Sequence, residues 1–129
     1  MVEPKKGQEK ISVSWKEIDE GVKALIHKID ETRYEAIYAL PRGGLLLGVM
    51  LSHNLDLPLI VDSSKISDRT LIVDDISDSG NTVKKLLNDK ECDVAALYER
   101  KGSVYKPEYV YKILNQDKWL IFPWEKKLS

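Results

Sequence analysis

Short apolar runs alternating with helical periodicity leave this chain few ways to fold. Residues 35–40, Leu59-Ile60-Val61, Leu71-Ile72-Val73 and residues 94–98 each read as a buried strand too short for a helix. Between them, Ile18, Val22, Leu25, Ile26 and Ile29 recur at helical spacing, and Ser14-Trp15-Lys16-Glu17 opens that segment as a capping box. The pattern predicts helices over residues 15–30, 45–54 and 81–87, and further strands at Tyr109-Val110-Tyr111 and residues 119–122. Strands separated by helices cannot be joined by hairpins, so the expected fold is α/β: a mostly parallel sheet flanked by helices. A length of 129 residues suits one domain over 1–129, with residues 1–10, polar and lysine-rich, expected to be frayed.

Composition excludes several functional classes. Twenty basic residues against 21 acidic ones leave a formal charge of -1, without the cationic surplus that general nucleic-acid binding needs. No apolar run approaches the ~20 residues of a membrane span, and the charged start leads into no apolar signal region. Cys92 is alone and the histidines are only His27 and His53, which excludes an internal disulfide and disfavours a zinc cluster. A cytoplasmic protein that binds neither membrane nor nucleic acid is expected.

In a parallel sheet, ligands sit beyond the carboxyl ends of the strands. Three features fall there: Pro41-Arg42-Gly43-Gly44, the segment from Asp74 to Thr82, and Arg100-Lys101. In the second, Ser79, Gly80, Asn81 and Thr82 are small or polar at the start of a helix, where backbone N–H groups favour an anion. Asp74 and Asp75 just upstream suit sugar hydroxyls or a hydrated Mg²⁺. A phosphate cradle beside two carboxylates points to a sugar phosphate. An ordinary polar loop with a helix cap has the same residue types.

The full string Val73-Asp74-Asp75-Ile76-Ser77-Asp78-Ser79-Gly80-Asn81-Thr82 resembles the phosphoribosyl pyrophosphate signature of the type I phosphoribosyltransferases. Residues 39–44 are similar to the pyrophosphate loop of that family. Residues 116–125 and the opening residues 13–18 are similar to the short xanthine-guanine enzymes, so the likeness spans roughly residues 12–126. The resemblance implies transfer of 5-phosphoribosyl from phosphoribosyl pyrophosphate to a 6-oxopurine base (guanine, xanthine or hypoxanthine), with Mg²⁺, in a homodimer or homotetramer. It implies that Asp78 to Thr82 hold the 5-phosphate. Asp74 and Asp75 would hold the ribose hydroxyls, directly or through the metal, and Arg42 with the Gly43 amide the pyrophosphate. Asp78 would be the general base and Lys101 the contact to the six-position oxygen. Trp119 would stack on the ring, and Leu120 would offer backbone contacts. The peptide before Arg42 is expected to be cis.

One departure stands out. The family closes a flexible hood over the reacting centre, and here only residues 62–70 separate Val61 from Leu71. The expectation is a hood cut to a short turn or hairpin, with donor hydrolysis, slow turnover, a partner-supplied lid or lost activity as consequences. A regulatory phosphoribosyl pyrophosphate-binding protein of the same fold is therefore the alternative. A receiver domain, suggested by the acids after Val73, is disfavoured because that pair should follow the first strand. Plainer readings stand beside the sharp ones: a capping role for Asp78, a solvated Arg42 or Lys101, core packing for Trp119, Trp15 and Trp124, and an unreactive Cys92. Arg100 adjoins Lys101, and a shift of one residue would exchange them.

Overall fold

In the computed structural model, described for residues 7–88 and 90–127, five strands form one all-parallel sheet. They are β2 (Ala36–Ala39), β3 (Leu59–Ile60), β4 (Thr70–Ser77), β5 (Val94–Arg100) and β6 (Tyr109–Leu114), in the order β3-β2-β4-β5-β6. A separate parallel pair joins β1 (Glu9–Ser12) to β7 (Lys118–Ile121), with Lys10 opposite Trp119 and Ile11 opposite Leu120. The helices are α1 (Trp15–Lys28), α2 (Gly44–Leu55) and α3 (Asn81–Leu87).

Period-two alternation along the strands explains the layering. Ile37, Leu71, Val73, Ala95 and Leu97 face one side and pack with Val22, Leu25, Leu47 and Leu51 of α1 and α2. Tyr38, Ile72 and Val94 face the other side and pack with Val83 and Leu87 of α3. Both faces are thus covered, which is why the inner strands read as continuous apolar runs. The connections from β2 run to β3 on one flank and, through β4, onward on the other. The order of strands therefore reverses between β2 and β4, and the crevice at their carboxyl ends is the topological switch point.

The structure corrects several expectations. Residues 1–6 of the segment expected to fray lie outside the described residues, but Glu9 and Lys10 belong to β1. All four β1 side chains are exposed, so no apolar face announced the strand; main-chain pairing with β7 holds it. The capping box is half formed. Ser14 Oγ accepts the Glu17 amide at 3.1 Å, while the Glu17 carboxylate accepts a hydrogen bond from the Tyr98 hydroxyl instead of reaching back. The run ending at Val61 is a two-residue edge strand, and Val61 is 82% exposed. Trp15, expected to pack, is exposed and meets Trp124 at a tilt with ring centroids 6.0 Å apart.

Candidate active site

The site is assembled from three strand ends. The loop after β2 carries Pro41, Arg42 and Gly43, and the Pro41–Arg42 peptide is cis. Gly44 donates its amide to Leu40 O at 2.9 Å, which folds the loop straight into α2. A Cβ at Gly43 would overlap the Asp75 carboxylate, so glycine is what lets this loop close on the acid. Arg42 is exposed and lines neither of the two cavities described below.

Beyond Val73, β4 turns polar. Asp75 donates its amide to Asp74 Oδ1 at 2.9 Å, and Ile76 donates to Asp75 Oδ1 at 2.8 Å. Burial first, and then the neighbouring Asp75 carboxyl, push the Asp74 carboxyl well above the usual carboxylate range. Among the described residues, no cation is paired with either carboxyl. The two fit a hard cation that takes one or two carboxylates and completes its shell with substrate oxygens, as Mg²⁺ does. Among the described residues no three Asp, Glu, His or Cys side chains gather to hold a metal ion by themselves.

The loop from Asp78 to Gly80 follows. Gly80 has φ +83°, a left-handed conformation, and a Cβ there would lie 2.5 Å from the Tyr105 amide nitrogen. The segment after β5 buttresses this loop. Val104 donates to Ser79 O at 2.7 Å, and the Ser77 and Ser103 hydroxyls lie 3.0 Å apart. Among the described residues, the Ser79 and Gly80 amides donate to no protein acceptor. Asn81 begins α3 and donates its amide to Ser79 Oγ at 3.2 Å.

Two cavities meet over this loop. The smaller is a polar cradle lined by Asp74, Ser77, Asp78, Ser79, Gly80 and Thr82. The larger is lined by Asp75, Arg100, Trp119, Leu120, Phe122 and Glu125, giving it an apolar wall and charged ends. Ile76 and Asp78 line both. Of the residues singled out from the sequence, the structure gathers Asp74, Asp75, Asp78, Ser79, Gly80, Thr82, Trp119 and Leu120 around these cavities. Asn81 is exposed just beyond the cradle, and Gly43 touches Asp75 from the side.

Lys101 is placed differently. It is exposed and lines neither cavity, and the cation that does so is Arg100. Arg100 is the last residue of β5 and is buried; its Nε donates to Asp78 Oδ1 at 2.8 Å. Phe122 and Glu125 were not anticipated. Glu125 Oε1 accepts the Phe122 amide at 2.8 Å, turning the chain after β7 around the cavity wall. The hood region is a single 3₁₀ turn, Ser63–Lys65, capped by Asp62 Oδ1 accepting the Ser64 amide at 3.0 Å. The short-turn expectation thus holds, and no hairpin forms.

Known proteins resemble this chain over almost its whole length. No family model matches it. A xanthine-guanine phosphoribosyltransferase of Chromohalobacter salexigens is 27% identical, covering 91% of this chain and 85% of its own length. One from Vibrio atlanticus is 26% identical over 93% of this chain and 92% of its own. The crystal structure of a purine phosphoribosyltransferase from Pyrococcus horikoshii superposes with a TM-score of 0.75. It is 30% identical and covers 93% of this chain and 97% of its own. With the parallel sheet, the acidic strand end and the paired cavities, these likenesses make the chain a member of the type I phosphoribosyltransferases, an enzyme of the purine phosphoribosyltransferase kind.

Proposed function

We propose that this enzyme transfers the 5-phosphoribosyl group from phosphoribosyl pyrophosphate to a 6-oxopurine, guanine, xanthine or hypoxanthine, in purine salvage. One observation carries the reading. Asp78 stands on the seam between a polar cradle and a larger, partly apolar cavity, where a ribose carbon and a base nitrogen would meet.

The unpaired Ser79 and Gly80 amides, with Asn81 and Thr82, receive the 5-phosphate. Asp74 and Asp75 would hold the ribose hydroxyls, directly or through Mg²⁺, and such an ion would supply positive charge to offset that of the leaving group. Arg42, exposed on its loop, and the Gly43 amide bind the departing pyrophosphate. The base lies against Trp119, with the Leu120 backbone at its edge.

In the reaction the bond between ribose C1 and the pyrophosphate oxygen breaks, its electron pair leaving with pyrophosphate. The bond from C1 to the base nitrogen forms, and the proton of that nitrogen passes to Asp78. Carboxylates near C1 and cations near the leaving group would supply most of the acceleration by electrostatic preorganisation.

We further propose a homodimer or homotetramer. An α-helix that is apolar all round is ordinarily buried, yet Leu45, Leu46 and Val49 of α2 lie exposed, as does Val61. Sedimentation equilibrium tests this. The lone Cys92 is buried, and burial pushes its thiol pKa up, in keeping with an inert thiol in a reducing cytoplasm.

The deciding experiment is pyrophosphate release from phosphoribosyl pyrophosphate and Mg²⁺ with each purine, beside Asp78→Asn. Release that needs a 6-oxopurine and falls ~100-fold or more in the variant supports the reading. Donor binding without turnover on any base would favour the regulatory alternative. Release without any base would mark a leaky site lacking its hood.

A further inference from the structure

We propose that Arg100 is a positioning residue that fixes Asp78 and Trp119 relative to each other, so that base recognition and proton acceptance depend on one guanidinium. This rests on the transferase reading above.

The geometry is specific. The Arg100 side chain is 6% exposed, against 55% for Asp78, so the buried partner is the cation. Nε donates to Asp78 Oδ1 at 2.8 Å, and Nη1 donates to Lys118 O at 2.7 Å and to Asn115 O at 3.0 Å. Asp78 belongs to the loop between β4 and α3. Asn115 and Lys118 close the turn between β6 and β7, whose own bond, Lys118 amide to Asn115 O, is long at 3.3 Å. Trp119 follows Lys118 directly and lines the same cavity as Asp78 and Arg100. One rigid, planar group thus ties the carboxylate on one wall to the strand that carries the ring on the other.

Two consequences follow from the fork. The Asp78 carboxylate cannot swing away while Nε holds Oδ1, and Oδ2 is left for the base. The turn that carries Trp119 is held as well, because Nη1 binds both of its carbonyls. An ammonium in this place is a point charge on a flexible stem and cannot serve a carboxylate and two carbonyls in one plane.

The test compares Arg100→Lys with the natural enzyme by three readings. They are kcat and KM for hypoxanthine, phosphoribosyl pyrophosphate affinity by calorimetry, and the Trp119 indole N–H signal in the ligand-free protein, assigned through Trp119→Phe. The clamp predicts a fall in kcat of about tenfold or more, a higher KM for the base and donor affinity within about twofold, since Arg100 does not line the phosphate cradle. It also predicts a Trp119 indole signal that moves while those of Trp15 and Trp124 do not. An unmoved Trp119 signal, or unchanged kcat with donor affinity retained, overturns the inference. If the natural enzyme turns over no purine, the transferase reading falls, and the ligand-free indole signal still decides the clamp. Should the lysine unfold the protein, Arg100→Gln, which keeps a planar donor, is read in the same way.

Discussion

The two ends of the central sheet carry acids in opposite circumstances. At the carboxyl end, Asp74 and Asp75 are bonded to backbone amides of their own segment, and among the described residues no cation is paired with either. At the amino end, Asp93, just before β5, is enclosed by protein partners. Tyr34 donates its hydroxyl to Asp93 Oδ2 at 2.5 Å and lies 2.6 Å from the Tyr109 hydroxyl, and Arg33 approaches the same carboxylate at 3.4 Å. Protein groups satisfy the acid at one end, while the charge at the other is left for something that is not protein. Acids of similar sequence appearance thus divide into a structural set and a ligand-binding set by their partners alone.

Substitutions should separate the two sets. Asp74→Asn has the largest expected effect on turnover and the least on stability. Burial already disfavours the ionised carboxyl, so an uncharged isostere leaves the melting temperature unchanged or slightly raised. Turnover, which needs the charge, should fall on the order of 100-fold. Calorimetry and pyrophosphate release on the same sample check this, and a sharp loss of stability would place Asp74 in the structural set. Gly43→Ala should act at the same end, because its Cβ must displace the Asp75 carboxylate. Turnover should drop about tenfold through misplacement of that acid. Tyr34→Phe should do the reverse. It removes a hydroxyl shared by Asp93 and Tyr109, costing about 1–3 kcal/mol of stability in urea titration, with kcat unchanged.

Much of this was legible in the chain. The inner strands declared themselves because both their faces are covered, and the string from Val73 to Thr82 placed the cradle at a strand end. What was hidden has physical causes. β1 buries no side chain, so neither periodicity nor hydrophobicity could announce it; its evidence is main-chain pairing with β7. Phe122 and Glu125 reach the cavity only because the chain turns after β7, through a bond from the Phe122 amide to Glu125. The one-residue choice between Arg100 and Lys101 depended on where β5 ends. Strand alternation sends neighbours to opposite sides, so an uncertainty of one position exchanges a buried cation for a solvated one. Composition shows charge but not whether a partner will be found for it.

The smallest effect is the sharpest test of the comparison, because it concerns pH. Glu108, just before β6, accepts the Val94 amide at 3.1 Å on Oε1. Burial first, then the nearby Asp93 carboxylate, push its carboxyl up to about 7 from the ordinary 4.5, outweighing the amide that holds it down. The folded protein therefore binds this proton more tightly than the unfolded chain. The stability it contributes is fully present below about pH 4.5 and is lost as pH rises through about 7. Part of the Glu108 surface is exposed, so solvent screening keeps the effect modest. Asp74, also raised, adds its own decline in the same direction, so the informative quantity is the difference between variants. In Glu108→Gln the fall in melting temperature between pH 5 and pH 8 should be shallower than in the natural protein, while kcat measured across that range keeps its profile. A changed kcat profile would mean that the amino end of the sheet communicates with the site, and the division into two independent acidic sets would fail.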